Sequence, residues 1–195
     1  MNAHTVIIGG GVIGASIAYH LAIRGCSDVI LIEKEREFGQ GSTRGCAGGI
    51  RYQFASDINI RMSLLSLPML EIFEEEHRQA IDLRQCGYLF LLTCPNDAKV
   101  FQNNVIKQRS LGVMTDWLDL DEVRRRLPDM KLNDVLAGTF HPKEGLADTN
   151  GVLMGYINSA KQLGVRALTE TEATGVTLQS GQVDTIHTTK GPISC

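Results

Sequence analysis

The sequence has few aromatics, 6% of its 195 residues, with a single tryptophan and only five prolines. With 43% hydrophobic residues, so little proline excludes a disordered or collagen-like chain. No sign of charge is in surplus: 19 Lys and Arg stand against 22 Asp and Glu, a net charge of −3. That balance argues against a broad nucleic-acid surface or an anionic membrane as partner. The five cysteines, at positions 26, 46, 86, 94 and 195, make no C-x-x-C, no even disulfide framework and no zinc-ligand spacing. No metal is therefore expected, and a reducing, cytoplasmic setting fits best. Residues 5–23 carry no full charge but include four glycines, with no basic region before them and no small-residue cleavage site after them. They read as neither a signal peptide nor a membrane segment. The one basic cluster, Arg124 to Arg126, follows Asp119 and Glu122 in a helix-start pattern and ends before Pro128, as a solvated short helix would. Glu74, Glu75 and Glu76 read as a solvated helix face.

What is abundant is ordered glycine. An apolar run, Val6, Ile7, Ile8, leads into a glycine cluster, then residues 12–24 with apolar positions at helical spacing, then Gly25 and a second apolar run at 29–32. This predicts a strand, a turn, a helix and a strand: a βαβ unit in about 30 residues. Ala15, Ala18 and Ala22 recur at spacings of three and four and let the helix lie close to a sheet. Residues 38–50 hold five glycines with Ser42 and Thr43, and predict a long loop with a task. Ile60, Leu64, Leu67, Leu70 and Phe73 predict a long helix over 56–78, bent near Pro68. Beyond it the patterns predict a strand at 88–92, helices at 97–111 and 119–127, a strand at 136–140 and a helix at 150–164 ended by Gly164. The remainder alternates as a β-meander turning at Ser180 and Gly181.

Gly9, Gly11 and Gly14 form G-x-G-x-x-G directly after a predicted strand and at the opening of a predicted helix. The first glycine permits a tight turn, the second lets the backbone approach a pyrophosphate, and the third permits close helix contact. The helix amino end offers unbonded N–H groups and partial positive charge to an anion. Glu33 follows Gly14 by 19 residues, at the end of the second strand, where a carboxylate accepts from ribose hydroxyls and repels a 2′-phosphate. These features bind an ADP-ribose unit and do not by themselves separate NAD from FAD. A nicotinamide dehydrogenase usually continues with another αβ unit; here a Gly, Ser and Thr loop with two arginines follows. Such a loop suits a ribityl chain and a flavin ring, so FAD is the better match.

The stretches VIIGGGVIGASIAYHLA, LIEKE and GQGSTRGCAGGIRYQF, with the weaker GLADTNG, resemble the FAD-dependent amine and amino-acid oxidoreductases of the D-amino-acid oxidase superfamily. Sarcosine oxidase β-subunits and D-amino-acid dehydrogenases are the most similar groups within it. The resemblance implies an α/β fold: a discontinuous Rossmann-like FAD-binding domain, residues 1–83 and 146–195, with an inserted α+β substrate domain at 84–145. It also implies that the chain corresponds to roughly the first half of such a protein, incomplete at its C-terminus. By resemblance, Gly9, Gly11, Val12, Ile13 and Gly14 line the pyrophosphate, while Glu33 and Lys34 hold the adenosine ribose. Ser42, Thr43 and Arg44 fall near pyrophosphate and ribityl groups, Ala47, Gly48 and Gly49 beside the flavin ring, and Ala173 against adenine. Thr149 departs from the family's more common D-P pair after Asp148. Some relatives attach flavin through a His in the glycine-rich loop; Gly45 holds that position here, which excludes that link. Cys46 is expected to be a packing residue and His141 an ordinary loop residue.

Arg51 matches the position from which some relatives reach the substrate carboxylate, which a guanidinium fork binds bidentately. The activity implied is hydride transfer from the α-carbon of an amine or amino acid, such as sarcosine, a D-amino acid or proline, to FAD. The alternatives are a flavoenzyme acting on a hydroxy acid or glycerol phosphate, and an FAD-binding fragment without activity. Partners implied are the small-molecule substrate, a respiratory acceptor as the one route to a membrane, and further subunits of a heteromer.

Overall fold

The computed structural model describes residues 1–195. The first half of the chain runs β1 (Thr5–Ile8), α1 (Val12–Ile23), β2 (Val29–Ile32), β3 (Gly49–Ile50), α2 (Asp57–Glu71), α3 (Phe73–His77), β4 (Tyr88–Leu92) and α4 (Pro95–Ser110). It continues through β5 (Asp116–Asp119), α5 (Leu120–Arg126), β6 (Ala137–His141), β7 (Gly145–Leu146), α6 (Thr149–Gln162), β8 (Arg166–Leu168), β9 (Ala173–Gln179), β10 (Gln182–Thr188) and β11 (Ile193–Ser194). The chain divides into two compact units, one of residues 1–47, 73–81 and 148–195, the other of residues 48–72 and 82–147.

In the first unit β1, β2 and β8 form a parallel sheet in that order. The four residues of β2, VILI, are all buried, as a parallel strand covered on both faces requires. Ile30 and Ile32 point to one face, where they share a core with Ala3, which precedes β1, and with Ile186 and Ile193 of the antiparallel β9, β10 and β11 layer. Leu31 points to the other, toward the buried Gly14 of α1. Helix α6 packs on α1, and Phe73 is fully buried against Gly155 of α6, where a Cβ would come within 2.4 Å of its ring. Residues 180 and 181 both adopt left-handed backbone, as a two-residue hairpin turn with the strand twist demands.

In the second unit β4, β6 and β5 form an antiparallel sheet, with β3 and β7 paired beside it. Val123 of α5 is buried with Leu118, Leu132 and Val135. The α5 amino end is closed by a capping box, Asp119 accepting from Glu122 N at 2.8 Å and Glu122 accepting from Asp119 N at 3.0 Å.

Three expectations are corrected here. The helix expected over 56–78 does continue through Pro68, but it is interrupted at Ile72, which divides it into α2 and α3. Residues 48–72, assigned from sequence to the nucleotide-binding part, group instead with 82–147, because Tyr52, Ile60 and Leu67 share a buried cluster with Val113. Residues 166–168 are not part of the meander; as β8 they extend the parallel sheet beside β2. No helix of the structure is long and apolar enough to cross a membrane.

Candidate functional site

In the first unit the turn from β1 to α1 is built by backbone approaching backbone. Gly9 has a φ of 108°, and its N–H donates to Ile32 O at 2.9 Å, tying the turn to β2. A Cβ at Gly14 would lie 2.0 Å from Gly9 O, so only glycine lets α1 begin this close to the strand. The N-cap of α1 is Gly11, which has no side chain to serve the orphan amides of the first turn. The glycine-rich loop supplies the missing cap: Thr43 Oγ1 accepts from Val12 N at 3.0 Å.

Glu33 extends this frame. Its carboxylate accepts from Gly10 N at 2.7 Å and Glu35 N at 3.0 Å, and its own backbone N–H donates to Leu168 O at 2.8 Å. A carboxylate has lone pairs beyond these two bonds and can still accept from hydroxyls. Gly10, which the G-x-G-x-x-G spacing leaves open to any residue, is constrained here: a Cβ would lie 2.4 Å from the Phe38 ring and 2.8 Å from Glu33 Cβ. No signal in the spacing marks it, because the constraint comes from residues 23 and 28 positions away.

These elements enclose a cavity of about 640 Å³. Gly9, Gly11, Val12, Ile13 and Gly14 line it at the helix start, Glu33 and Lys34 at the end of β2, Ser42 and Thr43 from the loop, and Ala173 from β9. Thr171 and Glu172 also line it, unforeseen from sequence; Thr171 N donates to Glu33 O at 2.8 Å, which brings the segment after β8 to the β2 end. A glycine-walled opening onto a helix amino end, with a carboxylate on the β2 side, fits a dinucleotide: anion at the helix, ribose at Glu33.

Other expected residues lie outside this cavity. The Arg44 guanidinium donates to Gln40 Oε1 at 2.5 Å and lines a separate cavity of about 340 Å³ with Phe38, Asn150 and Leu153. Ala47 is exposed, and so is Cys46, which is therefore no packing residue. Gly48 is buried with a φ of 78° and a Cβ position 2.2 Å from Ala147 O, and Gly49 pairs with Leu146. Gly49 is placed by the β3–β7 pairing, and Gly48 O accepts from Ala147 N at 3.0 Å just before it.

Arg51 belongs to the second unit. Its guanidinium carbon sits 5.1 Å from the Phe54 ring centroid and 5.7 Å from those of Tyr88 and Phe90, and no carboxylate lies within 4.0 Å of it. It lines a cavity of about 270 Å³ with Ile50, Phe54, Met62, Leu67 and Leu70. A cation held by aromatic faces beside an apolar wall suits a small carboxylate with a hydrocarbon body.

Sequence reasoning missed the group beneath this arginine. Glu144 is fully buried, and it accepts from the backbone N–H groups of Tyr52 and Gln53, the latter at 2.7 Å, and from Gln53 Nε2 at 2.6 Å. Burial pushes its carboxyl above the ordinary glutamate range, opposed by these hydrogen bonds and by the charge of Arg51. His141 is the last residue of β6, buried edge-on to Tyr52 with centroids 4.8 Å apart, rather than a loop residue. Burial lowers its pKa.

Comparison with known proteins agrees with this geometry. Residues 4–195 match the family described as FAD dependent oxidoreductase. Over 165 residues the chain is 33% identical to the mitochondrial dimethylglycine dehydrogenase of Rattus norvegicus, covering 84% of this chain and 19% of that protein. It is 25% identical to sarcosine oxidase subunit beta of Rhodobacter capsulatus over 195 residues, 97% of this chain and 47% of that one. Among solved structures, L-proline dehydrogenase from P. horikoshii superposes with a TM-score of 0.90 at 33% identity, covering 99% of this chain and 50% of that chain. The chain thus spans half the length of that solved structure and less than half of either curated relative.

Proposed function

This chain belongs to the FAD dependent oxidoreductase family, and from that premise we propose that it holds FAD and serves the oxidation of a carbon–nitrogen bond in an amino acid. The single observation that carries the reading is the glycine-only contact of Gly14 with Gly9 O, which opens the amino end of α1 onto the 640 Å³ cavity. The residues to hold the cofactor are Gly9, Gly11, Val12, Ile13 and Gly14 at the diphosphate and Glu33 with Lys34 at the ribose. FAD, when bound, supplies the two-electron acceptor for a hydride from the carbon beside the substrate nitrogen.

The protein's own contribution is orientation. Arg51, held by three rings and without an ion pair, binds the substrate carboxylate and fixes the adjacent α-carbon. The apolar wall of Ile50, Phe54, Leu67 and Leu70 takes the hydrocarbon part and excludes water. Amines with a carboxylate are named in the similar proteins, as dimethylglycine, sarcosine and L-proline, which supports this substrate class. Similarity to a subunit of sarcosine oxidase supports assembly with other subunits. Exposed Cys26, Cys86 and Cys195 support a reducing, cytoplasmic setting.

The test is anaerobic bleaching of the flavin by sarcosine, dimethylglycine and L-proline against hydroxy acids and glycerol 3-phosphate. Bleaching by one of the amino acids is expected, and Arg51→Gln should raise its KM by about ten- to a hundredfold, each tenfold being about 1.4 kcal/mol. Bleaching by hydroxy acids or glycerol 3-phosphate alone would transfer the protein to that class of donor. Failure of the purified protein to bind FAD removes the reading altogether.

A further inference from the structure

We infer that Glu144 is a positioning residue for Arg51, holding both the backbone that carries the guanidinium and one wall of the cage around it. This rests on the reading of Arg51 as the carboxylate anchor and says what makes that anchor rigid.

Glu144 is fully buried with no cation in ion-pair range, an expensive arrangement that apolar side chains would replace at lower cost if stability were its only role. Every hydrogen bond to its carboxylate comes from an N–H of the two residues that follow Arg51. Oε1 accepts the amides of Tyr52 and Gln53, and Oε2 accepts Gln53 Nε2. That same Nε2 also donates to Tyr88 O at 3.0 Å, and Tyr88 is one of the rings against Arg51. One carboxylate therefore fixes the Arg51 segment directly and the Tyr88 segment through Gln53.

Glu144 is itself fixed from the opposite side. Its carbonyl accepts from Gly87 N at 2.8 Å, and the next residue, Gly145, sits where a Cβ would fall 1.8 Å from Arg84 O. Glu144→Gln keeps the shape and can still accept both backbone amides. Its Nε2, however, would face Gln53 Nε2, donor against donor. Turning the Gln53 amide over relieves this only by presenting an oxygen to Tyr88 O. The substitution thus loosens the cage with little change of volume.

The experiment is calorimetric titration of the FAD-loaded protein with benzoate and with benzamide, its neutral isostere. Arg51 should favour benzoate in the unsubstituted protein, and Glu144→Gln should weaken benzoate about tenfold, a loss of about 1.4 kcal/mol, while leaving benzamide unchanged. A merely structural role would weaken both ligands alike, and that result overturns the inference. So does an unchanged or tighter benzoate complex, the outcome if the negative charge only opposed the anion. Gln53→Met keeps the charge and both backbone bonds but releases Tyr88; it should weaken benzoate by a smaller factor, and it decides the matter if Glu144→Gln does not fold. Absence of benzoate binding to the unsubstituted protein, or benzoate binding untouched in Arg51→Gln, removes the Arg51 reading instead. A loss in Arg51→Gln that Glu144→Gln does not share removes the positioning role alone.

Discussion

The two units build their sites from different materials. In the first, the frame of the site is main chain: Gly9 takes a positive φ, Gly10 and Gly14 leave no room for a Cβ, and Gly11 leaves the helix end bare. In the second, the site is side chain on side chain: Arg51 among Phe54, Tyr88 and Phe90, steadied by Glu144 through Gln53. A site made of backbone tolerates substitution only where space is open, and it fails abruptly. A site made of side chains fails by degrees, according to how many of its bonds a substitution removes.

The sharpest break of this contrast is Gly14→Val. A Cβ 2.0 Å from Gly9 O cannot be accommodated by a rotamer change, since the obstacle is a carbonyl of the turn itself. The helix start must move, and FAD affinity should fall by more than about a hundredfold, or some 2.7 kcal/mol, read as flavin absorbance retained after purification. Normal flavin content in the variant would show that the helix start does not govern the cofactor. Gly25→Ala, at a glycine with a φ of 82° but open space around its Cβ position, should keep its flavin and lose only stability.

A second contrast is between carboxyl and imidazole. Burial raises the Glu144 carboxyl, whereas it lowers His141 in the same unit and His20 and His77 in the other. A raised carboxyl contributes stability that is fully present below the ordinary glutamate value, about 4.3, and is lost as pH rises through the raised folded value. Glu144→Gln lacks this contribution. Urea unfolding should therefore show the stability of the native protein relative to Glu144→Gln declining as pH rises from 4 toward 7. The lowered histidines act in the opposite sense, contributing stability above the ordinary histidine value that is lost as pH falls through their folded values, and they cancel in the comparison. A gap that grows with pH would mean that hydrogen bonding to the carboxylate outweighs its desolvation.

The same contrast explains what was legible. The βαβ unit, the three glycines, Glu33 and the capping box of α5 depend on neighbours within about one element, so spacing alone reveals them. Gly10 is invisible to a motif because Phe38 closes over it, and Glu144 because its partners lie 91 and 92 residues away. The boundary at residue 48 is hidden for a similar reason, which is why the sequence reading runs its first segment to residue 83: the apolar face of α2 shows that it is buried but not that Val113 shares its core. Composition and spacing alone do not tell Arg44 from Arg51, both in the segment after Glu33; resemblance separates their roles, and tertiary context gives one to Gln40 and the other to a ring cage. Thr43 is the intermediate case: its glycine-rich loop is legible in sequence and its bond to Val12 N is not.

The smallest effect lies there. Thr43 Oγ1 accepts from Val12 N, so the loop contributes a cap that Gly11 cannot provide. Thr43→Val keeps the volume and removes the acceptor, and should cost about 1 kcal/mol of stability in flavin-free protein. Thr43→Ser, which restores an acceptor, should recover most of it. The penalty should shrink when FAD is bound if the orphaned Val12 amide can turn to the cofactor, because the ligand then supplies the acceptor the side chain lost. Comparing urea midpoints of both variants with and without FAD separates the two roles. An equal penalty in both states would make Thr43 a cap and nothing more, and a penalty only with FAD bound would make it a ligand contact whose bond to Val12 is incidental.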